Sequence, residues 1–222
     1  MRILITAGPT REPIDPVRYL TNRSSGKMGY ALASAGAQLG HRVTLISGPT
    51  NLDVPINVDY IPVETAREMY EAVRVQIARA EAAIFSAAVA DYRPVTCAEE
   101  KIKKSGQSLV LELVQNADIL GSARSKFGFE GILVGFAAET ENLEANARGK
   151  LMRKGCDLVV ANDVSQRGIG FDSDHNEILL VYPERVEALP LDTKEHLAHL
   201  ILASVQSLHV ARSGNRKDES RT

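Results

Sequence analysis

Cysteine is scarce in this chain and poorly placed for cysteine chemistry. Only Cys97 and Cys156 occur, neither in a CxxC pair and neither with a histidine close by in sequence. A disulfide framework and a Cys/His zinc site are therefore not expected, a thiolate nucleophile has no support, and a reducing compartment fits. An excess of charge of one sign is also missing. The formal net charge is −2, so no basic field invites nucleic acid. No apolar run approaches the ~18 residues that point to a membrane-crossing helix. The opening MRILITAGPT is too short in apolar residues for a signal-peptide core. The expectation is a soluble cytoplasmic protein that engages neither membrane nor nucleic acid.

Two phosphate-binding signatures are absent as well. No GxGxxG follows the first apolar run, and Gly26-Lys27 is followed by Met28 rather than Ser or Thr, with no glycine five residues earlier, so there is no Walker loop. Other apparent motifs fail on inspection. Asp172-Ser173-Asp174-His175-Asn176 begins like a calcium loop, but Glu177 stands where glycine is needed and Pro183 where the closing glutamate is needed. His196 and His199 lack a third ligand.

What remains is an ordinary globular composition of 222 residues, 44% hydrophobic and 24% charged, enough for one substantial core. Short apolar runs at Ile3–Ala7, Val43–Ser47, Ala82–Ser86, Ile132–Phe136 and Leu158–Ala161 alternate with helical patterns near Lys27–Leu39, Ala66–Ala80, Ala117–Lys126, Leu143–Lys154 and Lys194–His209. Uninterrupted apolar strands between helices predict an α/β fold: a Rossmann-like, mostly parallel sheet with helices on both faces. Ser108–Val114 alternates apolar and polar, and Asn176–Leu191 reads as a hairpin around Pro183-Glu184-Arg185. Both are expected as antiparallel additions to the sheet or as arms reaching another subunit. Residues 1–211 form one domain in this reading, and 212–222, charged and aperiodic, a disordered tail.

Ligands of open parallel sheets bind beyond the carboxyl ends of the strands. The segments there are TAGPTREPID, AAVADY (87–92), AAET (137–140) and NDVS (162–165), small residues followed by polar ones. Between the first strand and the first helix lies TNRSSGKMG (21–29). A polar loop feeding a small-residue helix start can build an anion pocket from backbone N–H groups and the helix dipole. A plain turn with a packing glycine is the simpler alternative. Asn22 can donate to an acyl carbonyl or a developing oxyanion without changing charge, or merely form an Asx turn. Lys101, Lys103 and Lys104 can gather anions and neutralise a leaving pyrophosphate, or simply be a solvated loop. Lys150 and Lys154 share a helix face, often only a solvent stripe.

Taken together, TAGPTREPIDPVRYLTNRSSGKMG (6–29), SGPT (47–50), AAVADY, EKIKK (100–104), GFAAET (135–140) and ANDVS (161–165) resemble phosphopantothenoylcysteine synthetase of the bacterial, CTP-dependent type. The resemblance implies a ligase of coenzyme A biosynthesis. The carboxylate of 4′-phosphopantothenate attacks the α-phosphate of CTP, and L-cysteine then takes the acyl group, with Mg²⁺ assisting. It implies that Lys101, on a closing flap, stabilises the transferring phosphorus, that Asn22 holds the acyl cytidylate, and that Arg18 and Lys104 contact substrate. For the nucleotide it points to Ser24, Ser25 and Gly26, to Ala87, Ala88, Val89 and Asp91, and to Lys101. Further nucleotide positions are Ala117, Asp118, Ile119, Leu120, Phe136, Lys150 and Lys154, with Ala117 standing where many relatives have proline.

The resemblance also implies a homodimer. Many bacterial relatives carry an amino-terminal flavin-dependent decarboxylase. This chain begins at the synthetase's first strand, so FMN is not expected here, and a separate or fused phosphopantothenoylcysteine decarboxylase is the expected partner. Two other readings are an NAD(P)-dependent oxidoreductase and a non-catalytic nucleotide-binding module. The first is opposed by Ser47-Gly48-Pro49, where an acidic ribose ligand would end the second strand. The second is opposed by the presence of both Asn22 and Lys101.

Overall fold

In the computed structural model, which describes residues 1–104, 106, 108–163 and 173–219, the run RILITA forms a strand, β1 (Arg2–Ala7), buried from Ile3 onward. Its burial follows from its place. β1 lies between β4 (Arg42–Ser47) and β6 (Ala82–Phe85), parallel to both. Beyond β4 lies β5 (Val58–Pro62), and beyond β6 lie β9 (Ile132–Glu139) and β10 (Leu158–Asp163), all parallel. The hairpin β11 (His175–Val181) and β12 (Val186–Thr193) extends the sheet antiparallel from β10. Two small two-stranded pairs stand apart, β2 (Arg11–Pro13) with β3 (Tyr19–Thr21) and β7 (Tyr92–Pro94) with β8 (Leu113–Gln115).

Alternate residues of β1 enter different cores. Ile3, Ile5 and Ala7 pack with Tyr30 and Leu32 of α1 (Lys27–Gln38) and with Leu197 and Ile201 of α5 (Lys194–Glu219). Leu4 packs on the other face with Met69 of α2 (Ala66–Gln76), Ile119 of α3 (Ile119–Ser125) and Leu151 of α4 (Leu143–Lys154). Both faces being covered, the strand sequences need no polar alternation. Each fully buried leucine or isoleucine contributes roughly 1.5–3 kcal/mol relative to exposure.

Local signals set the helix ends. Thr65 accepts from the Glu68 N–H at 3.2 Å while the Glu68 carboxylate accepts from the Thr65 N–H at 3.3 Å, a reciprocal cap that starts α2. Asp118 caps α3 through the Gly121 N–H at 2.9 Å, so that helix begins at Ile119 rather than at Ala117. α4 ends on Gly155 in the left-handed region.

The expected hairpin over Asn176–Leu191 is present. Ser108–Val114 departs from expectation: strand pairing covers only Leu113–Gln115, and the partner is Tyr92–Pro94 rather than the main sheet. Leu109, Val110, Leu113 and Val114 are all exposed, so no core pins a longer strand. α5 continues to Glu219, past the boundary expected at residue 211. Arg212 donates to the Glu130 and Gly131 carbonyls at 2.9 and 2.8 Å and pairs with Asp157. Asp157 in turn holds Arg124 at 2.8 Å. Val164 and Ser165 of the ANDVS segment, and Asp172, lie outside the described residues.

Candidate functional site

The crevice forms where β1, β6, β9 and β10 end and α1 begins. Gly26, the residue before α1, has φ +79, and a Cβ there would meet the Thr50 side chain at 2.7 Å. A Cβ on Gly29 would lie 2.4 Å from the Ala7 Cβ. These two glycines let the first turn of α1 press onto the end of β1. Among the described residues no side chain caps this helix start, and its turn borders a cavity of about 270 Å³. Helix starts of this kind attract anions through unsatisfied N–H groups.

Side-chain charge reinforces that attraction. Lys27, Lys150 and Lys194 line the cavity, and no Asp or Glu does so among the described residues. Lys194 is only 4% exposed and opens α5, where the helix dipole disfavours a cation. Asn162 and Asn176, both buried, complete the inner wall. Lys27 also bonds Asp174 at 2.6 Å, tying α1 to the start of the β11 hairpin. That contact holds the Asp174 carboxyl below the usual carboxylate range.

A second cavity, of about 290 Å³, shares the wall formed by Ala87, Val89, Phe136 and Lys150. Its far side holds Asp91, Asn116, Ala117, Asp118, Leu120 and Lys154. Asn116 clamps the two loops there. Its amide donates to the Ala90 carbonyl at 2.9 Å and accepts from Arg93 at 2.9 Å, and its N–H donates to the Asp91 carbonyl at 2.8 Å. Lys150 donates to the Phe136 carbonyl at 2.5 Å. Burial pushes its ammonium below the ordinary lysine value. Lys154 pairs with Asp118. Burial pushes the Asp118 carboxyl up, but the Lys154 bond, the Gly121 N–H and the charges of Lys154 and Lys150 outweigh it and leave it low. Next to this wall Cys156 is buried, and desolvation pushes its thiol up to about 12, so it packs as a neutral group.

Asn22 sits beside the alanine loop rather than inside a cavity. It is exposed, and its amide donates to the Ala88 carbonyl at 2.9 Å. Buried Thr10 registers the same loop, donating its N–H to Ala88 at 3.3 Å and accepting from the Ala90 N–H at 2.9 Å. Thus Asn22, Ser24, Ser25, Gly26, Ala87, Ala88, Val89, Phe136 and Lys150 come together around the first cavity. Asp91, Ala117, Asp118, Ile119, Leu120 and Lys154 come together around the second. Lys101 and Lys104 do not join either. With Arg18 they line a separate hollow of about 620 Å³. Arg18 donates to Asp15 at 2.5 Å and to the Ile102 carbonyl at 2.9 Å.

Ser86, Asn116, Asn176 and Lys194 line the cavities without being placed at the site by the sequence, whereas Lys27 and Asn162 fall within TNRSSGKMG and NDVS. One signal was available. A lysine opening a helix runs against the dipole and calls for a compensating anion.

The arrangement can hold a polyanion against the α1 turn and lysines, with a flat group in the neighbouring slot beside Phe136. Among the described residues no cluster of three or more His, Cys, Asp or Glu side chains could cage a metal ion.

A mostly parallel sheet covered on both faces, with a lysine-lined crevice at the carboxyl edge of its parallel strands, defines an α/β domain of the Rossmann-like class. The chain belongs to the family described as the DNA/pantothenate metabolism flavoprotein C-terminal domain, whose model matches residues 1–208. It is 53% identical over 208 residues to the coenzyme A biosynthesis bifunctional protein CoaBC of Vibrio vulnificus strain YJ016, covering 93% of this chain and 52% of that protein. The chain thus spans about half the length of the curated relatives it matches. A crystal structure of the C-terminal domain of a CoaBC protein superposes with TM-score 0.80 at 42% identity, covering 93% of this chain and 94% of that one. The DNA/pantothenate metabolism flavoprotein from Streptococcus pneumoniae gives TM-score 0.82 at 25% identity, covering 94% and 100%. Among the described residues no helix is long and apolar enough to cross a membrane.

Proposed function

We propose that this chain is the ligase that joins 4′-phosphopantothenate to L-cysteine in coenzyme A biosynthesis, using CTP. The observation that carries the proposal is the pair of adjoining cavities, one lined by three lysines, beside Asn22 on a family-matching scaffold. In the first half-reaction a carboxylate oxygen of phosphopantothenate bonds to the α-phosphorus of CTP. The bond from that phosphorus to the bridging oxygen breaks, and pyrophosphate leaves. In the second half-reaction the amine of cysteine bonds to the acyl carbon, CMP leaves with the former carboxylate oxygen, and a proton is released.

The chain's own residues meet the demands of this chemistry. A carboxylate and a triphosphate repel, and Lys27, Lys150 and Lys194 offset that repulsion within a partly desolvated crevice. Binding an anion would also offset the desolvation that disfavours the charged form of Lys150. Small side chains at Ala87, Ala88 and Val89 allow a base edge to approach backbone groups. The Asn22 amide, which has a second N–H beside the one bonded to Ala88, polarises the acyl carbonyl in this reading. Lys101 reaches the crevice by movement of its loop, which would also shield the acyl nucleotide from water. Mg²⁺, if bound with the nucleotide, would supply further charge neutralisation for the departing pyrophosphate, beside what Lys27, Lys150 and Lys194 provide.

We also propose a homodimer joined through β7 and β8, supported by the exposed side chains of Tyr92, Val95, Leu109, Val110 and Leu113. Sedimentation at the mass of a single chain would contradict it. FMN chemistry is assigned to a decarboxylase, fused or separate.

Two variants test the division of roles. Lys101→Gln should slow pyrophosphate release by about 10²-fold, the scale of losing one charge-stabilising donor. Asn22→Asp should still release pyrophosphate but accumulate acyl cytidylate in the presence of cysteine. Loss of pyrophosphate release in Asn22→Asp would remove Asn22 from the second half-reaction.

A further inference from the structure

Asp15 lies in the loop between β2 and β3, and its side chain is fully buried. One carboxylate oxygen accepts from the Val17 and Arg18 N–H groups at 2.9 and 2.8 Å. The other accepts from Arg18 Nε at 3.0 Å, from Arg18 Nη2 at 2.5 Å, and from the Ile102 N–H at 3.1 Å. Arg18 Nη2 then donates to the Ile102 carbonyl at 2.9 Å. Both backbone groups of Ile102 are thus held by a single ion pair from a loop more than eighty residues away in sequence. The residues on either side of Ile102 are Lys101 and Lys103, both exposed. A further backbone bond, from the Ala98 N–H to the Ile14 carbonyl at 3.0 Å, ties the same two loops just upstream.

Surface ion pairs usually contribute little. This one differs because its carboxylate is buried and saturated with donors, and because the guanidinium is split between a side chain and a backbone carbonyl. Such a group fixes geometry. We propose that Asp15, acting through Arg18, is a positioning residue: it anchors Ile102 as the fixed point of the lysine loop and so sets where Lys101 can be presented. The kinetic part of the proposal rests on the ligase reading; the anchoring part does not. It also gives Arg18 a different duty from the substrate contact implied by resemblance.

Asp15→Asn keeps the side chain's shape and the oxygen that caps Val17 and Arg18, but its NH₂ cannot accept from Ile102 or Arg18. Arg18→Lys keeps the charge, but a single ammonium cannot make the forked contact. Two measurements are made on each. In limited digestion with trypsin, both variants should be cut after Lys101, Lys103 or Lys104 at least about 10-fold faster than wild type, because local opening governs cleavage. In CTP-dependent pyrophosphate release, Asp15→Asn should lower kcat by about 10-fold or more with little change in KM for CTP, as expected for a misplaced group. The double variant Asp15→Asn/Lys101→Gln should be no slower than Lys101→Gln alone. Unchanged cleavage, a faster enzyme, or full additivity in the double variant would overturn the proposal. If wild type shows no CTP-dependent reaction, the ligase reading fails while the digestion still decides whether Asp15 anchors the loop.

Discussion

Lys150 shows how one residue changes meaning with context. On a helix face four residues from Lys154, it resembles a solvent stripe. In the fold it stands in the wall between two cavities, held by the Phe136 carbonyl and depressed by burial. The opposite happens with sulfur. Cys156 is buried and its thiol pushed up to about 12, whereas Cys97 is exposed. A thiol reagent should therefore titrate one cysteine in the folded protein and two after denaturation, and two fast-reacting thiols in the native state would contradict the packing described. Asp15 carries the clearest pH consequence. The Arg18 side chain, first, and then the surrounding N–H groups hold its carboxyl well below the usual range. The stabilisation is therefore fully present above about pH 4, the ordinary carboxylate value, and is lost only as pH falls below it.

At the scale of elements, the parts visible in sequence were those set by local pattern. β1, β4, β6, β9 and β10 are apolar runs because both faces are covered, and each is legible within two residues except β9, which runs three residues past Phe136 to Glu139. β5 was not. Val58-Asp59-Tyr60-Ile61-Pro62 is an edge strand, where a proline and an acid are tolerated and the apolar signal is weak. Ser108–Val114 does not join the main sheet: only Leu113–Gln115 pairs, with Tyr92–Pro94, since alternation without a covering layer does not make a main-sheet strand. Likewise the Asp15–Arg18–Ile102 contact joins loops with no shared motif, and Asn176 and Lys194 reach the first cavity only because the hairpin folds back along β10. Such long-range placements leave no periodic trace. The contact between α1 and β1 gives a stability prediction. Gly29→Ala places a methyl group 2.4 Å from the Ala7 Cβ, an overpacking that should cost about 1–3 kcal/mol. Denaturant unfolding would show it, and unchanged stability would mean that α1 does not sit this close.

For the molecule as a whole, function rests on the sheet's carboxyl edge gathering residues from distant parts of the chain. Positions 24–29, 86–91, 115–120, 136, 138, 150, 154, 162, 176 and 194 converge on two adjoining cavities, with Asn22 beside them. One cavity is lined by Lys27, Lys150 and Lys194, the other adjoins it across Ala87, Val89 and Phe136, and Asn22 is bonded to Ala88 of that shared loop. A nucleotide-binding module without chemistry would need the cavities but would have no use for an amide beside them or for an anchored lysine loop. The difference between binding and catalysis is therefore the acyl cytidylate itself. The most direct measurement is to mix the protein with Mg²⁺, CTP and 4′-phosphopantothenate in the absence of cysteine, quench, and look for that species by mass spectrometry. The account predicts an acyl cytidylate formed together with pyrophosphate, disappearing with release of CMP and phosphopantothenoylcysteine once cysteine is added. Bound CTP with neither pyrophosphate nor acyl cytidylate, before or after cysteine, would contradict it.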